Sequence, residues 1–275
     1  MDEATGLEGR VAIVTGAGSR GDGIGNGRAA AVLLARRGAR VALVDSVPEW
    51  ARATQTMIEN EGGSSFVAEA DVSDPASCSS CVERVVERWG AVDILVNNVG
   101  VGGPAGDVVE VDPEAWEQCL RTNVTSMMLM SKYCVPQMRQ AGGGSIVHVS
   151  SVAGLIGGHP NIAYPVAKGA IIPLTRAMAA QHGADGIRVN AVAPGMVYTP
   201  MVATSPGMTE AVREIRRGRS LLGTEGTGWD VGEAVAFLAG DRARWITGTV
   251  LTVDAGATAG RRDFSPNLSR ERQPA

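Results

Sequence analysis

The stretch "TGAGSRGDGIGNGR", residues 15–28, governs how the rest of the sequence is interpreted. It holds six glycines in fourteen residues and lies between the apolar run "RVAIVTG" (10–16) and the Ala-rich run "RAAAVLLARRG" (28–38). In an order of strand, glycines and helix, the backbone can approach a phosphate closely, and the helix N-terminus supplies unpaired N–H groups. The sequence therefore predicts a site for a phosphate-bearing ligand here.

Apolar runs of strand length alternate with amphipathic runs of helix length. Asp74-Pro75 and Asp112-Pro113 supply an N-cap and a first-turn proline to two of the helices. This alternation predicts an α/β fold: a Rossmann-type doubly wound parallel sheet of about seven strands, with helices on both faces and a ligand crevice at the carboxyl ends of the strands. The predicted strands are 10–16, 39–45, 64–71, 91–98, 144–151, 186–195 and 248–254, and the predicted helices are 25–38, 49–61, 74–89, 112–140, 162–184 and 230–239.

Composition excludes several classes of partner. A net charge of -4 gives no basic footprint for nucleic acid, and no run of eighteen apolar residues predicts a membrane span. The acidic start "MDEATGLEGR" lacks the apolar core of a signal peptide, so we expect a cytoplasmic protein. Cys78 and Cys81 form a CxxC, but Cys119 and Cys134 make no second pair, so we expect no metal.

The second strand ends on an acidic residue, Asp45. Together with the glycine stretch, where Gly16, Gly18 and Gly21 fit G-x-G-x-x-G, this predicts a dinucleotide site. A carboxylate there accepts hydrogen bonds from ribose hydroxyls and repels a 2′-phosphate, which favours NAD as cofactor. Arg20, a cation in the glycine stretch, leaves NADP open as the alternative.

From about residue 7 to 256 the chain resembles the short-chain dehydrogenase/reductase family. The family pattern T-G-x-x-x-G-x-G begins at Thr15-Gly16 and closes at Gly23-Ile24-Gly25 or at Gly25-Asn26-Gly27. The spacing from "RAAAVLLARRGARV" to the second strand matches the family in the latter alignment, which makes residues 17–24 a loop longer than is usual. The resemblance then implies cofactor contacts from Gly16, Gly25, Asn26 and Gly27, with Asn26 at a position that is commonly apolar.

Further stretches resemble the family in order along the chain. These are "DVSD" (71–74), "NNVG" (97–100), which has Val99 where the family has Ala, and "APGMVYT" (193–199). The resemblance implies that the first contacts adenine, the second lies over the adenosine ribose and the third surrounds the nicotinamide. The cofactor residues it implies are Asp71, Val72, Asn98, Gly100, Pro194, Gly195, Val197 and Thr199.

The segment "GSIVHVSSVAGLIGGHPNIAYPVAKGA" (144–170) carries the catalytic prediction. Tyr164 and Lys168 are four residues apart and share one face of a helix. A free tyrosine has a pKa of about 10, so an ammonium and an oxidised nicotinamide nearby are expected to lower its pKa and let it act as general base or acid. Family spacing selects Ser151 over Ser150 to hold the substrate oxygen and implies that Asn123 holds a water; Tyr164 and Lys168 also contact the cofactor.

These residues predict an NAD-dependent oxidoreductase that interconverts a secondary alcohol and a ketone by hydride transfer. The alternatives are an NADP-dependent ketone reductase of the 3-oxoacyl type and a dinucleotide-binding sensor or scaffold without turnover. One domain (1–256) would carry cofactor binding and catalysis, with 196–229 as substrate loop and 257–275 as a tail; the resemblance implies a homo-oligomer, a tetramer or dimer. His148 is expected to be structural, and the candidate substrate contacts are Val152, Ala153, His159, Met196 and Met201.

Overall fold

A computed structural model describes residues 5–205 and 207–261. Most of the predicted tail, from residue 262 onward, lies outside the described residues, as do residues 1–4 and 206. Within these ranges seven strands form one sheet of order β3-β2-β1-β4-β5-β6-β7, and every neighbouring pair is parallel. The strands are β1 Val11–Thr15, β2 Arg40–Asp45, β3 Ser64–Glu69, β4 Ile94–Asn97, β5 Gly144–Val149, β6 Ile187–Pro194 and β7 Val250–Val253.

Helices cover both faces of this sheet, which confirms the predicted fold class. Alternate residues of β1 point to opposite layers: Ala12 and Val14 pack against α1, α2 and α9, whereas Val11 and Ile13 pack against α3, α5 and α6. The helices are α1 Asn26–Arg36, α2 Pro48–Asn60, α3 Pro75–Trp89, α4 Pro113–Leu120, α5 Ser126–Gln140, α6 Ala163–His182, α7 Pro200–Ala203, α8 Glu210–Gly218 and α9 Gly228–Ala239.

Two predicted helix starts are confirmed, and one predicted helix is interrupted. Asp74 and Asp112 cap α3 and α4 by accepting hydrogen bonds from the N–H groups of Ser77 and Ala115, at 2.7 and 2.8 Å. The helix predicted over 112–140 contains a π-helical turn, Arg121–Thr125, between α4 and α5. Within this turn, the Asn123 side chain forms hydrogen bonds with the backbone of Val101, which lies outside the helix.

The stretch predicted to be irregular, 196–229, contains α7 and α8. α8 buries none of its residues and is held by ion pairs: Arg213 and Arg216 both bind Glu225, whose side chain is only 4% exposed. Thr209 caps this helix by accepting from the Val212 N–H at 3.3 Å. Sequence periodicity predicts helices from apolar spacing, so it missed one that charged pairs stabilise.

A half-buried arginine holds the end of α9. The Arg188 guanidinium, on β6, donates to the carbonyl oxygens of Leu238, Ala239, Gly240 and Ile246, at 2.8 to 3.4 Å. These include carbonyls that a helix C-terminus leaves unpaired. Arg188 therefore ties α9 to the sheet.

The cysteines lie in the core rather than at a ligand site. Burial raises the pKa of the Cys78 thiol to about 12 and that of Cys81 to about 11. Within the described residues, no three His, Cys, Asp or Glu side chains are grouped so that they could hold a metal ion. No helix in the same ranges is both long and apolar enough to cross a membrane.

His148 lies on β5 and is fully buried, as expected for a structural histidine. Its Nδ1 is 3.2 Å from the Asn97 amide nitrogen, which donates to it, so a proton on Nδ1 would face another donor. Burial lowers the pKa of His148 to about 4. As the pH falls below about 6.5, the unfolded chain takes up a proton here that the folded chain refuses.

We therefore predict that the free energy of unfolding falls between pH 6.5 and pH 4, with a contribution from His148 of about 3 kcal/mol at most. His148→Gln removes this titration, so its stability should decline less than that of the wild type over this range. Urea unfolding at pH 7 and pH 5 measures the difference. Equal declines in the two proteins would contradict the prediction.

Candidate active site

A cleft of about 560 Å³ opens at the carboxyl ends of the strands. After β3 the chain crosses back to place β4 on the other side of β1, so the cleft lies where the sheet order reverses, as in other doubly wound folds. Most predicted cofactor and catalytic residues line it: Gly16, Gly25, Asn26, Gly27, Asp45, Asp71, Val72, Asn98, Gly100, Ser151, Tyr164, Lys168, Pro194, Gly195, Val197 and Thr199.

The glycine turn brings β1 and α1 into close contact with the end of β4. α1 begins at Asn26 after Gly25, so the structure places Gly25-Asn26-Gly27, rather than Gly23-Ile24-Gly25, at the helix N-terminus. A Cβ on Gly27 would lie 2.0 Å from the Gly16 carbonyl oxygen and 2.4 Å from the Asn98 amide nitrogen. That amide donates to the carbonyl oxygens of Thr15 and Gly16 at 3.2 and 3.0 Å. Only glycine at position 27 permits this approach.

Residues 17–24, called the extended loop below, are held by a side chain that sequence reasoning missed. Arg28, on α1, is 3% exposed. Its guanidinium donates to three carbonyl oxygens of the extended loop and to two atoms of α2: Ser19 (3.5 Å), Gly21 (3.4 Å), Gly23 (2.6 Å), Trp50 O (3.3 Å) and Thr54 Oγ1 (3.1 Å). A charged residue at the start of an Ala-rich helix was the available signal.

Asp45, the last residue of β2, lines the end of the cleft away from Tyr164. Its carboxylate is 8% exposed and accepts from the Gly18 and Val47 N–H groups, both at 3.0 Å. Arg20 also lines this end, and its guanidinium lies 5.5 Å from the centre of the Trp50 ring. One carboxylate and one cation therefore share this end of the cleft.

Four predicted catalytic residues come together at the other end. Tyr164 lies at the start of α6 and its hydroxyl is hydrogen-bonded to Ser151. One turn later, the Lys168 Nζ lies 5.8 Å from the centre of the Tyr164 ring and donates to the Val149 carbonyl oxygen at 3.0 Å. Ser150 points away and donates to the Lys168 carbonyl oxygen at 2.7 Å, so the strand turns Ser151 to the cleft.

Asn123 is fully buried behind the cleft, within the π-helical turn. Its Oδ1 accepts from the Val101 N–H at 3.2 Å, and its Nδ2 donates to the carbonyl oxygens of Val101 and Cys119 at 3.1 and 2.9 Å. A Cβ on Gly100 would lie 2.8 Å from Asn123 Oδ1 and 3.0 Å from Lys168 Nζ. Gly100 thus lets Asn123 and Lys168 approach the same point.

In the chain alone burial governs the pKa of Tyr164, whereas the predicted lowering included the charge of an oxidised nicotinamide. Burial raises the pKa of this phenol, and the Ser151 hydrogen bond lowers it without compensating. Burial also lowers the pKa of Lys168 to about 8. Desolvation is therefore the largest influence on the pKa of both groups.

Most of the predicted substrate contacts do not line the cleft, and their role in substrate binding stays a prediction. Of the five, Met201 lines the cleft, 57% exposed on α7. Val152 turns into the core, Ala153 donates its N–H to Ser151 Oγ, His159 packs on Tyr164 with ring centres 5.0 Å apart, and Met196 pairs its backbone with Gly226. Further residues that line the cleft are Val101, Gly102, Thr122 and Val202.

The chain is similar over most of its length to known proteins. A family model described as enoyl-(acyl carrier protein) reductase matches residues 19–258. The chain is 39% identical over 250 residues to cis-4-hydroxycyclohexanecarboxylate dehydrogenase of Sinomonas cyclohexanicum, covering 91% of this chain and 97% of that protein. It is 38% identical over 262 residues to 2-(S)-hydroxypropyl-CoM dehydrogenase 3 of Xanthobacter autotrophicus, covering 92% and 98%.

Solved structures are similar as well. A crystal structure described as a short-chain dehydrogenase/reductase from Burkholderia xenovorans superposes with a TM-score of 0.90 at 41% identity, covering 94% of this chain and 99% of that one. The likeness therefore covers nearly the whole of both chains.

Proposed function

Because this chain belongs to the short-chain dehydrogenase/reductase family, we propose that it interconverts a secondary alcohol and a ketone, with NAD as cofactor and Tyr164 as general base or acid. The observation that carries the proposal is the meeting of Ser151, Tyr164, Lys168 and Asn123 at one end of a cleft whose other end has a glycine turn and a helix N-terminus.

The cleft fits a dinucleotide on structural grounds. The N-terminus of α1 opens at the cleft, where Gly25 and Asn26 line it, and the buried Asn26 Oδ1 lacks a partner among the described residues. When bound, the nicotinamide ring exchanges a hydride at C4 with the substrate carbon and, when oxidised, adds a positive charge near Tyr164. We propose these contacts: Gly16, Gly25, Asn26 and Gly27 for pyrophosphate; Asp45, Asp71, Val72, Asn98 and Gly100 for adenosine; Pro194, Gly195, Val197 and Thr199 for nicotinamide.

The protein's own groups handle the proton. Tyr164 takes the hydroxyl proton of the alcohol in oxidation and returns it in reduction, while Ser151 holds the substrate oxygen. Lys168 has a pKa of about 8, so a large fraction carries a charge at neutral pH and favours the tyrosinate. Asn123 holds a water that links Lys168 to solvent.

The substrate class follows from the walls and from the relatives. Both curated relatives named above are called dehydrogenases of hydroxylated compounds. Near Tyr164 the cleft is lined by apolar side chains, Val101, Met201 and Val202. We therefore propose a secondary alcohol or ketone with a mainly apolar body as the small-molecule partner.

Exposed apolar side chains near the sheet edge support a homo-oligomer, a dimer or tetramer. Trp245 is 96% exposed, and Phe237 and Leu251 are 41% and 36% exposed. β7 ends the sheet, so this face has no covering layer within the chain's described residues. Sedimentation velocity should give a dimer or tetramer mass; a monomer at micromolar concentration would contradict this.

The four buried, unpaired cysteines fit the cytoplasmic location that we propose.

The cofactor choice depends on Asp45 and Arg20. The Asp45 carboxylate repels a 2′-phosphate, whereas Arg20 in the same part of the cleft favours the alternative, an NADP-dependent ketone reductase. We expect turnover with NAD to exceed that with NADP, and Asp45→Ser to raise the relative rate with NADP by about tenfold. Initial rates with both cofactors measure this. An NADP preference of about tenfold or more in the wild type would overturn the choice of NAD.

Tyr164→Phe removes the proton acceptor but keeps the ring, so we expect NADH formation to fall by on the order of a thousandfold while NAD binding stays nearly unchanged. Absorbance of the reduced cofactor and NAD titration measure the two quantities. Tyr133→Phe, on α5 away from the cleft, is the matched control and should retain activity. Activity surviving in Tyr164→Phe would exclude Tyr164 as the base. Inactivity of the wild type on a panel of secondary alcohols would favour the alternative function, a dinucleotide-binding sensor without turnover.

A further inference from the structure

We propose that Arg28, acting through the extended loop, positions α7 and so sets the width of the substrate end of the cleft. Arg28 is then a positioning residue for substrate selection as well as a support of the cofactor site. Its kinetic consequences depend on the proposed function, whereas its structural consequence does not.

The first step is the fixation of the extended loop. A guanidinium is planar, so Arg28 can donate in several fixed directions, here to the carbonyl oxygens of Ser19, Gly21 and Gly23 on one side and to α2 on the other. Thr54 adds a second link by donating to the Ala17 carbonyl oxygen at 2.8 Å. The loop is thereby attached to α2 along most of its length.

The second step is the contact between the loop and α7. Gly23, whose carbonyl forms the shortest of the Arg28 hydrogen bonds, lies against the Pro200 ring: a Cβ on Gly23 would be 2.4 Å from Pro200 Cγ. Pro200 is the first residue of α7. The loop also lies against the start of α9, where a Cβ on Gly228 would be 2.7 Å from the Ile24 carbonyl oxygen.

The third step is the dependence of α7 on this contact. This helix is four residues long, and Met201 and Ala203 are exposed on it. So short a helix is not stable by itself and takes its position from what it packs against. Because Met201 and Val202 line the cleft and Thr199 precedes them, a shift of Pro200 moves the substrate wall. The path from Arg28 through Gly23 to Pro200 therefore determines that wall.

Hydrogen exchange of the full chain without ligands tests the structural claim. Arg28→Lys keeps the charge but replaces the planar group by a single ammonium, so exchange should become faster in both 17–24 and 199–205. Arg188→Lys is a matched control, since Arg188 also holds four carbonyl oxygens but at the end of α9. It should accelerate exchange around 238–246 alone. A change confined to 17–24 in Arg28→Lys, or faster exchange at 199–205 in both variants, would overturn the proposal.

Gly23→Ala tests the same path without disturbing the arginine. The added methyl must displace Pro200, so we expect the KM for the alcohol to rise about tenfold while the Kd for NAD stays within about twofold of wild type. The pH profile of kcat should not change, because the groups around Tyr164 are untouched. Gly183→Ala, at an exposed glycine outside the cleft where an added Cβ would meet nothing within 4 Å, is the matched control and should leave the KM for the alcohol at the wild-type value.

A double variant separates this steric path from general loosening. Pro200→Ala removes the ring atom that the new methyl meets, so Gly23→Ala combined with Pro200→Ala should have a lower KM than Gly23→Ala alone. Simple addition of the two single effects, or an unchanged KM in Gly23→Ala, would refute the inference. If the wild type oxidises no alcohol, the proposed function fails, and the exchange experiment still decides whether Arg28 positions α7.

Discussion

The close approach of the β1–α1 turn to the end of β4 is the contact on which the cleft depends. The Gly16 carbonyl oxygen lies where any side chain on Gly27 would be, and the Asn98 amide donates to both residues at the end of β1. This packing joins the two halves of the sheet where its order reverses. It also points the N-terminus of α1 into the crevice, so the positions of Asp45 on one side and Lys168 on the other follow from it.

The buried cations Arg28 and Lys168 and the half-buried Arg188 bind backbone carbonyl oxygens rather than carboxylates. Arg28, Arg188 and Lys168 all donate to carbonyl oxygens. A buried ion pair would be nearly neutral, whereas carbonyl partners satisfy the hydrogen bonds and leave the positive charge in place. For Lys168 the cost is visible in a pKa of about 8. The benefit is a charge next to Tyr164 that no carboxylate neutralises.

Local signals made the sheet, the capped helices and the shared helix face of Tyr164 and Lys168 predictable from sequence. Apolar runs mark strands, Asp-Pro marks helix starts, and Tyr164 and Lys168 share a helix face by spacing alone. Features fixed by distant contacts were not predictable. The π-helical turn contains Asn123, whose side chain is hydrogen-bonded to Val101, and α8 is held by ion pairs to Glu225. Val152 was predicted to line the cleft, but the turn after β5 directs its side chain into the core.

Tyr164 becomes a stronger acid in a complex with a positively charged ligand and not in the chain alone. Sequence reasoning counted the charge of Lys168 but not the burial of the phenol, and burial raises the pKa of Tyr164 more than the Ser151 hydrogen bond lowers it. A phenol that stays protonated can donate a proton to a ketone but cannot accept one from an alcohol. Positive charge brought beside it by a ligand lowers its pKa, because the surrounding protein has a low dielectric constant. The same site thus favours the acid form of Tyr164 until a cationic ligand binds, which links the direction of proton transfer to the charge of the ligand.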